Sequence, residues 1–173
     1  MNIISSVYDY LFSISKDGFD YSPFKNILET VPQNCKRIQE FNIDMTSPVV
    51  QSVKRFCENT VIKANQYDTK SHLFAISLSG GVDSMVLATI IKLLGHRVVA
   101  LHINYNNRPE TKQEQEFLEK WCFYNNIKLY VKSIDNIKRD TTKRSDYETI
   151  TKKIRFDFYK EVMQKENIDL ILL

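Results

Sequence analysis

From residue 73 onward, short apolar runs alternate with longer amphipathic stretches, and this alternation restricts the possible folds more than any other feature of the chain. The runs at 73–78, 97–103, 128–134 and 168–173 are rich in Val, Ile and Leu and bounded by polar residues or glycine, which predicts four strands. Helices are predicted between them. The first, over 84–94, is apolar and is stopped by Gly95; the second, over 109–124, would bury Phe117, Leu118, Trp121 and Cys122. The third, over 147–165, would bury Ile150, Ile154, Phe158 and Val162. Strand and helix in strict alternation require right-handed βαβ crossovers. The predicted class is therefore α/β, a doubly wound parallel sheet covered on both faces, with ligands expected beyond the carboxyl ends of its strands.

Residues 1–70 follow a different pattern and are read as a helical extension of unassigned role, ahead of a domain over 71–173. Ser47-Pro48 combines a capping hydroxyl with proline at the first helical position, and Val49, Val50, Val53, Phe56, Cys57, Val61 and Ala64 then recur at helical spacing. Residues 8–12 and 24–28 are candidates for further short helices. With 43% hydrophobic and 26% charged residues, and only 4 Gly and 4 Pro, the chain has the composition of a folded domain rather than a disordered one. No apolar run approaches the roughly 18 residues that cross a bilayer, and the first residues lack both a basic start and a cleavage site. A cytoplasmic protein without a membrane partner is expected. Cys35, Cys57 and Cys122 are odd in number and widely spaced, which suggests reduced packing residues rather than a disulfide framework or a zinc site.

The chemistry is expected in residues 79–84, which join the first strand to the first helix as Ser79, Gly80, Gly81, Val82, Asp83 and Ser84. Adjacent glycines let the backbone approach a phosphate, the serines offer hydroxyl donors, and the helix start presents free N–H groups to an anion. Asp83 would repel polyphosphate unless a cation lies between them, so it is a candidate ligand for Mg²⁺ or an anchor of the loop. The alternative is a glycine turn in which Asp83 or Ser84 caps the helix. No Gly-Lys-[Ser/Thr] ending follows, so this is not a Walker A loop. The net charge of +3 is compatible with a nucleic-acid partner. The basic cluster of Lys138, Arg139, Lys143, Arg144, Lys152, Lys153 and Arg155 is either a solvated surface or a phosphate or RNA contact.

Ser-Gly-Gly-Val-Asp-Ser resembles the signature loop of the N-type ATP pyrophosphatases, the PP-loop superfamily, which includes GMP, NAD and argininosuccinate synthetases and several tRNA-modifying enzymes. Two further segments are similar to tRNA(Ile)-lysidine synthases. One runs from His102 through Ile103, Asn104, Tyr105, Asn106 and Asn107 to Arg108, with Tyr105 and Asn106 where that family has histidine and glycine. The other, over 148–156, matches a Glu-x-x-Ala-Arg-x-x-Arg-Tyr helix, with Lys152 in place of the first arginine and Phe156 in place of tyrosine. Glu148, Lys152, Arg155 and Tyr159 then fall on one helix face, opposite Ile150, Ile154 and Phe158. A local reading competes: Ser145-x-x-Glu148 is a capping box, and Glu148 can pair with Lys152.

The resemblance implies ATP and Mg²⁺ as cofactors, with tRNA and lysine as partners. It implies that the loop residues 79–84 together with His102, Asn104 and Arg108 bind ATP, that Asp83 holds the metal, and that Asp83, Lys152 and Arg155 serve catalysis. ATP would adenylate a cytidine carbonyl oxygen, pyrophosphate would leave, and the lysine amine would displace AMP. The resemblance covers about 70–173, and the family's later Gly-His-His-x-x-Asp-Asp type segment is absent. A fragment, a subunit completed by a second chain and a catalytically silent ATP-binding module all remain open, as does tRNA thiolation within the same superfamily.

Overall fold

A computed structural model describes residues 38, 42–64, 72–137, 139 and 141–173. The predicted short helices at 8–12 and 24–28, and Cys35 and Lys138, lie outside the described residues. Helix α1 spans Pro48–Ala64, followed by β1 (Leu73–Ser77), α2 (Val82–Leu93), β2 (Arg97–Asn104), α3 (Glu110–Tyr124), β3 (Lys128–Ser133), α4 (Arg144–Glu166) and β4 (Ile171–Leu172). The described strands form one parallel sheet in the order β3-β2-β1-β4. Chain order therefore reverses at β1, which has β2 on one side and β4 on the other. In open α/β sheets that reversal opens a crevice at the carboxyl edge.

Alternation along β1 sorts the core into two layers. Phe74, Ile76 and Leu78 face Met85, Ala88 and Ile91 of α2, Leu118 and Trp121 of α3, and Cys57 of α1. Ala75, with Val99 and Leu101 of β2, faces Phe158, Tyr159 and Val162 of α4 on the other side. The central strands β1 and β2 are thus buried on both faces, which explains their apolar runs, whereas the edge strand β3 is exposed at both ends.

Several boundaries differ from expectation. Helix α2 begins at Val82 rather than 84, because Gly81 already accepts the first helical hydrogen bond from Met85 at 3.1 Å. The final strand contracts to Ile171–Leu172. Ile168 instead closes α4, its N–H donating to the Met163 carbonyl at 2.8 Å just after Asn167 turns left-handed at φ 53°.

Helix α4 corrects two further expectations. It starts at Arg144, so Ser145 lies inside the first turn and is not a cap; its hydroxyl reaches Asp146, and Glu148 pairs with Arg144 at 2.8 Å instead of with Lys152. Ile150, expected in the core, is 40% exposed. Ile150 stands beside the buried stripe of Tyr147, Thr151, Phe158 and Val162 rather than on it. Twenty-three residues of helix extend about 35 Å at 1.5 Å each, whereas strands of six to eight residues reach only about 20–27 Å. The first turns of α4 therefore extend past the carboxyl ends of the strands, where Tyr147 and Thr151 are nevertheless buried.

At the opposite edge, His96 packs edge-on against Phe74 at 5.3 Å and its Nδ1 accepts the His72 N–H at 3.4 Å. Burial, assisted by nearby His72 and opposed by Glu58, holds the His96 pKa below its ordinary 6.5. A base with a lowered folded-state pKa holds fewer protons folded than unfolded, so its contribution is complete above 6.5 and declines as pH falls toward the lowered value. Thermal melts should therefore give a lower Tm at about pH 5.5 than at about pH 7.5. His96→Asn should flatten that difference, and an unchanged slope would remove His96 as its source.

Candidate nucleotide-binding site

The loop after β1 is held by its own hydroxyls. Ser79 Oγ lies 3.1 Å from Ser84 Oγ and accepts the Gly81 N–H at 3.2 Å, while Ser84 Oγ donates to the Gly81 carbonyl at 3.0 Å. Gly80 sits at φ +82°, a conformation that side chains rarely adopt. Gly81 precedes α2 in extended backbone and makes no side-chain capping bond, so neither Asp83 nor Ser84 is the helix cap. The first-turn N–H groups of α2 point out of the carboxyl edge without a side-chain acceptor, the arrangement that receives an anion. Asp83 is exposed in that turn.

The strand end that feeds the loop is pinned from two sides. Leu78 donates its N–H to Leu101 at 2.8 Å, and its carbonyl accepts from Nδ1 of buried His102 at 2.8 Å. On the other face Ser77 Oγ lies 2.5 Å from the hydroxyl of Tyr159, which is only 3% exposed. Burial pushes the Tyr159 pKa up against the opposing effects of Ser77 and Arg155. The sequence reading set Tyr159 on a face with Glu148, Lys152 and Arg155, opposite Phe158, whereas it is buried beside Phe158 and makes this bond; the signal for it was a serine ending an otherwise apolar strand. Tyr159→Phe should cost about 1–2 kcal/mol, because a buried hydroxyl loses its partner while the ring stays packed. Denaturant melts of this variant, Ser77→Ala and the double mutant should show strong coupling, and additive losses would contradict the pairing.

A cleft of about 430 Å³ opens beside the loop, lined by Ser79, His102, Tyr105, Arg108, Thr111 and Glu114 among others. Arg108 donates to Glu114 at 2.7 Å on its rim. Asn104 is buried, donating to Gln115 at 2.8 Å and accepting the Asn106 N–H at 2.9 Å. His102 and Asn104 thus shape the cleft by holding its backbone. Asn106 takes φ +44° where the resembling family has glycine, and its side chain donates to Asp135, tying the segment after β2 to the one after β3. Asparagine is among the few residues that tolerate this conformation.

Lys152 and Arg155 are not among the residues lining this cleft. They stand on α4, across the sheet. Arg155 lies one turn before Tyr159, toward the overhanging end of the helix, and Lys152 is exposed. Among the described residues, no group of three or more His, Cys, Asp or Glu side chains could hold a metal ion. A cation at Asp83 would therefore share its coordination with phosphate oxygens, as Mg²⁺ commonly does.

A doubly wound sheet with a bare helix start at its switch point defines a nucleotide-binding α/β domain. The chain belongs to the PP-loop domain family, whose ATP-binding model matches residues 45–173. It is 41% identical over 98 residues to the tRNA(Ile)-lysidine synthase of Mycoplasmopsis pulmonis, covering 57% of this chain and 32% of the relative. It is 36% identical over 102 residues to that of Mesoplasma florum, covering 58% and 25% respectively. The chain thus spans about a third or less of the length of these curated relatives. Among solved structures, the NH3-dependent NAD synthetase of Campylobacter jejuni superposes with a TM-score of 0.53 at 18% identity, covering 75% of this chain and 56% of that one. That likeness concerns the fold. No helix among the described residues is long and apolar enough to cross a membrane.

Proposed function

We propose that this chain supplies the ATP site of an AMP-forming, tRNA-modifying ligase of the lysidine synthase kind, acting in the cytoplasm. The observation that carries the reading is the uncapped start of α2 behind the Ser79–Ser84 hydroxyl ring, in a chain 41% identical to a lysidine synthase over their matched segment. In this reading the loop backbone and the two serines hold the pyrophosphate of ATP, and the cleft beside His102 takes the nucleoside. Asp83 would hold Mg²⁺ together with the phosphates, and the ion would offset charge on the departing pyrophosphate. A cytidine carbonyl oxygen attacks the α-phosphorus and the bond to the β-phosphate oxygen breaks. The lysine amine then attacks the activated ring carbon, and AMP leaves with that oxygen. Arg155 and Lys152, which stand on α4 outside the cleft, are in this reading a source of positive charge for the phosphates of the substrates.

The thiolation alternative draws no support from the described cysteines. Cys57 and Cys122 are free and buried, and burial pushes the Cys57 pKa up to about 11 and Cys122 higher still, so neither offers a thiolate. The test is pyrophosphate release with ATP, Mg²⁺, lysine and tRNA. Release that depends on tRNA is expected. Release that needs a different acceptor would overturn the proposal, and ATP binding without turnover in any mixture would indicate a silent module or a subunit needing a second chain.

A further inference from the structure

The overhanging half of α4 carries an aromatic ring that the ATP site does not use. Phe156 is 36% exposed although it lies on a helix whose other face enters the core. Helical spacing surrounds it with cations: Lys152 four residues before, Lys153 three before and Lys160 four after all share its face, and all are exposed. The Arg155 guanidinium lies 5.5 Å from the Phe156 ring centroid. Lys153 is neutralised by Asp157 at 2.6 Å. Lys152 and Arg155 form no ion pair with any described residue, and Lys160, whose charge also acts on Asp157, forms no direct pair with it, so this face keeps a net positive charge. The ring is also oriented from below, since Tyr159 meets it edge-on at 6.0 Å and 70° while bonding to Ser77 at the end of β1.

We propose that this face, centred on Phe156, is a contact for single-stranded RNA, in which an unpaired base stacks on the ring and neighbouring phosphates meet Lys152, Lys160 and Arg155. Exposed aromatics among cations are how proteins hold unstacked bases, whereas a solvated basic surface has no need of a phenyl ring at its centre. Charge complementarity selects nucleic acid over an acid-poor apolar partner. The inference deepens the reading of tRNA as acceptor by naming the surface that receives it, and it rests on that reading only for the identity of the RNA.

Fluorescence anisotropy with a labelled unmodified tRNA transcript, and with a short unstructured oligoribonucleotide, tests it without ATP. Phe156→Ala should weaken both affinities about tenfold, and Phe156→Tyr and Phe156→Trp should restore them, which a folding defect would not do. Lys160→Ala should lower the slope of log affinity against log salt by about 0.7. Unchanged affinity in Phe156→Ala would overturn the proposal, as would unchanged affinity combined with an altered sedimentation coefficient, which would make the face a protein contact. Pyrophosphate release is measured separately. Turnover that is indifferent to Phe156 would sink this inference and leave the ligase reading intact, whereas Phe156-dependent RNA binding without turnover would do the reverse.

Discussion

Gly81→Val is expected to reduce ATP affinity at least about a hundredfold in calorimetry with Mg²⁺ while leaving the fold in place. A Cβ at Gly81 meets only Ser79 Oγ, at 3.3 Å, and the backbone there is extended, so the protein tolerates a branched side chain sterically. Poor capping by valine costs at most about 1 kcal/mol, or a few degrees in Tm. The damage falls on the ligand. The added methyl groups displace the Ser79 hydroxyl and stand beside the N–H groups at the start of α2. Losing two charge-assisted hydrogen bonds, at about 1.5–3 kcal/mol each, corresponds to at least about two orders of magnitude in affinity. Wild-type affinity in this variant would mean that the loop is a turn and not a phosphate site.

Leu118→Ala should produce the largest loss of stability and should reach the same loop from below. Leu118 is fully buried, and its Cδ1 lies 3.7 Å from where a Cβ on Gly80 would be, so it forms the floor under the left-handed residue. Truncating a leucine in such a site costs about 2–5 kcal/mol, through lost transfer energy and the cavity left behind. A fall in Tm of about 10 °C follows for a domain of this size. ATP binding should weaken as the loop loses its support, and Leu118→Met, which nearly conserves volume, should recover most of both losses. A variant that melts early yet binds ATP normally would separate the floor from the site.

The strands, the helices between them and the loop were legible because each depends on local chemistry. Period-two burial on both faces leaves a continuous apolar run, as in β1, and a phosphate loop needs glycine at Gly80 whatever surrounds it. Ile150 and Glu148 were misread for separate reasons. Ile150 stands beside the buried stripe of Tyr147, Thr151 and Phe158 rather than on it, and the helix begins one residue before Ser145, which places Glu148 against Arg144. The side-chain partners of His102 and Asn104, Leu78 and Gln115, were not legible either. A buried polar group satisfied by another element leaves no mark in its own neighbourhood.

Sequence alone determined the α/β class, the position of the Ser79–Ser84 loop between strand and helix, and the basic character of α4. Those follow from interactions within a few residues. Only the tertiary structure decided that α4 crosses to the other face of the sheet and overhangs its edge, that Ser77 and Leu78 are pinned by Tyr159 and His102, and that Phe156 is left to solvent among lysines. The physical reason is that burial and hydrogen-bond partners more than 20 residues apart depend on strand order and relative length, which no local pattern encodes.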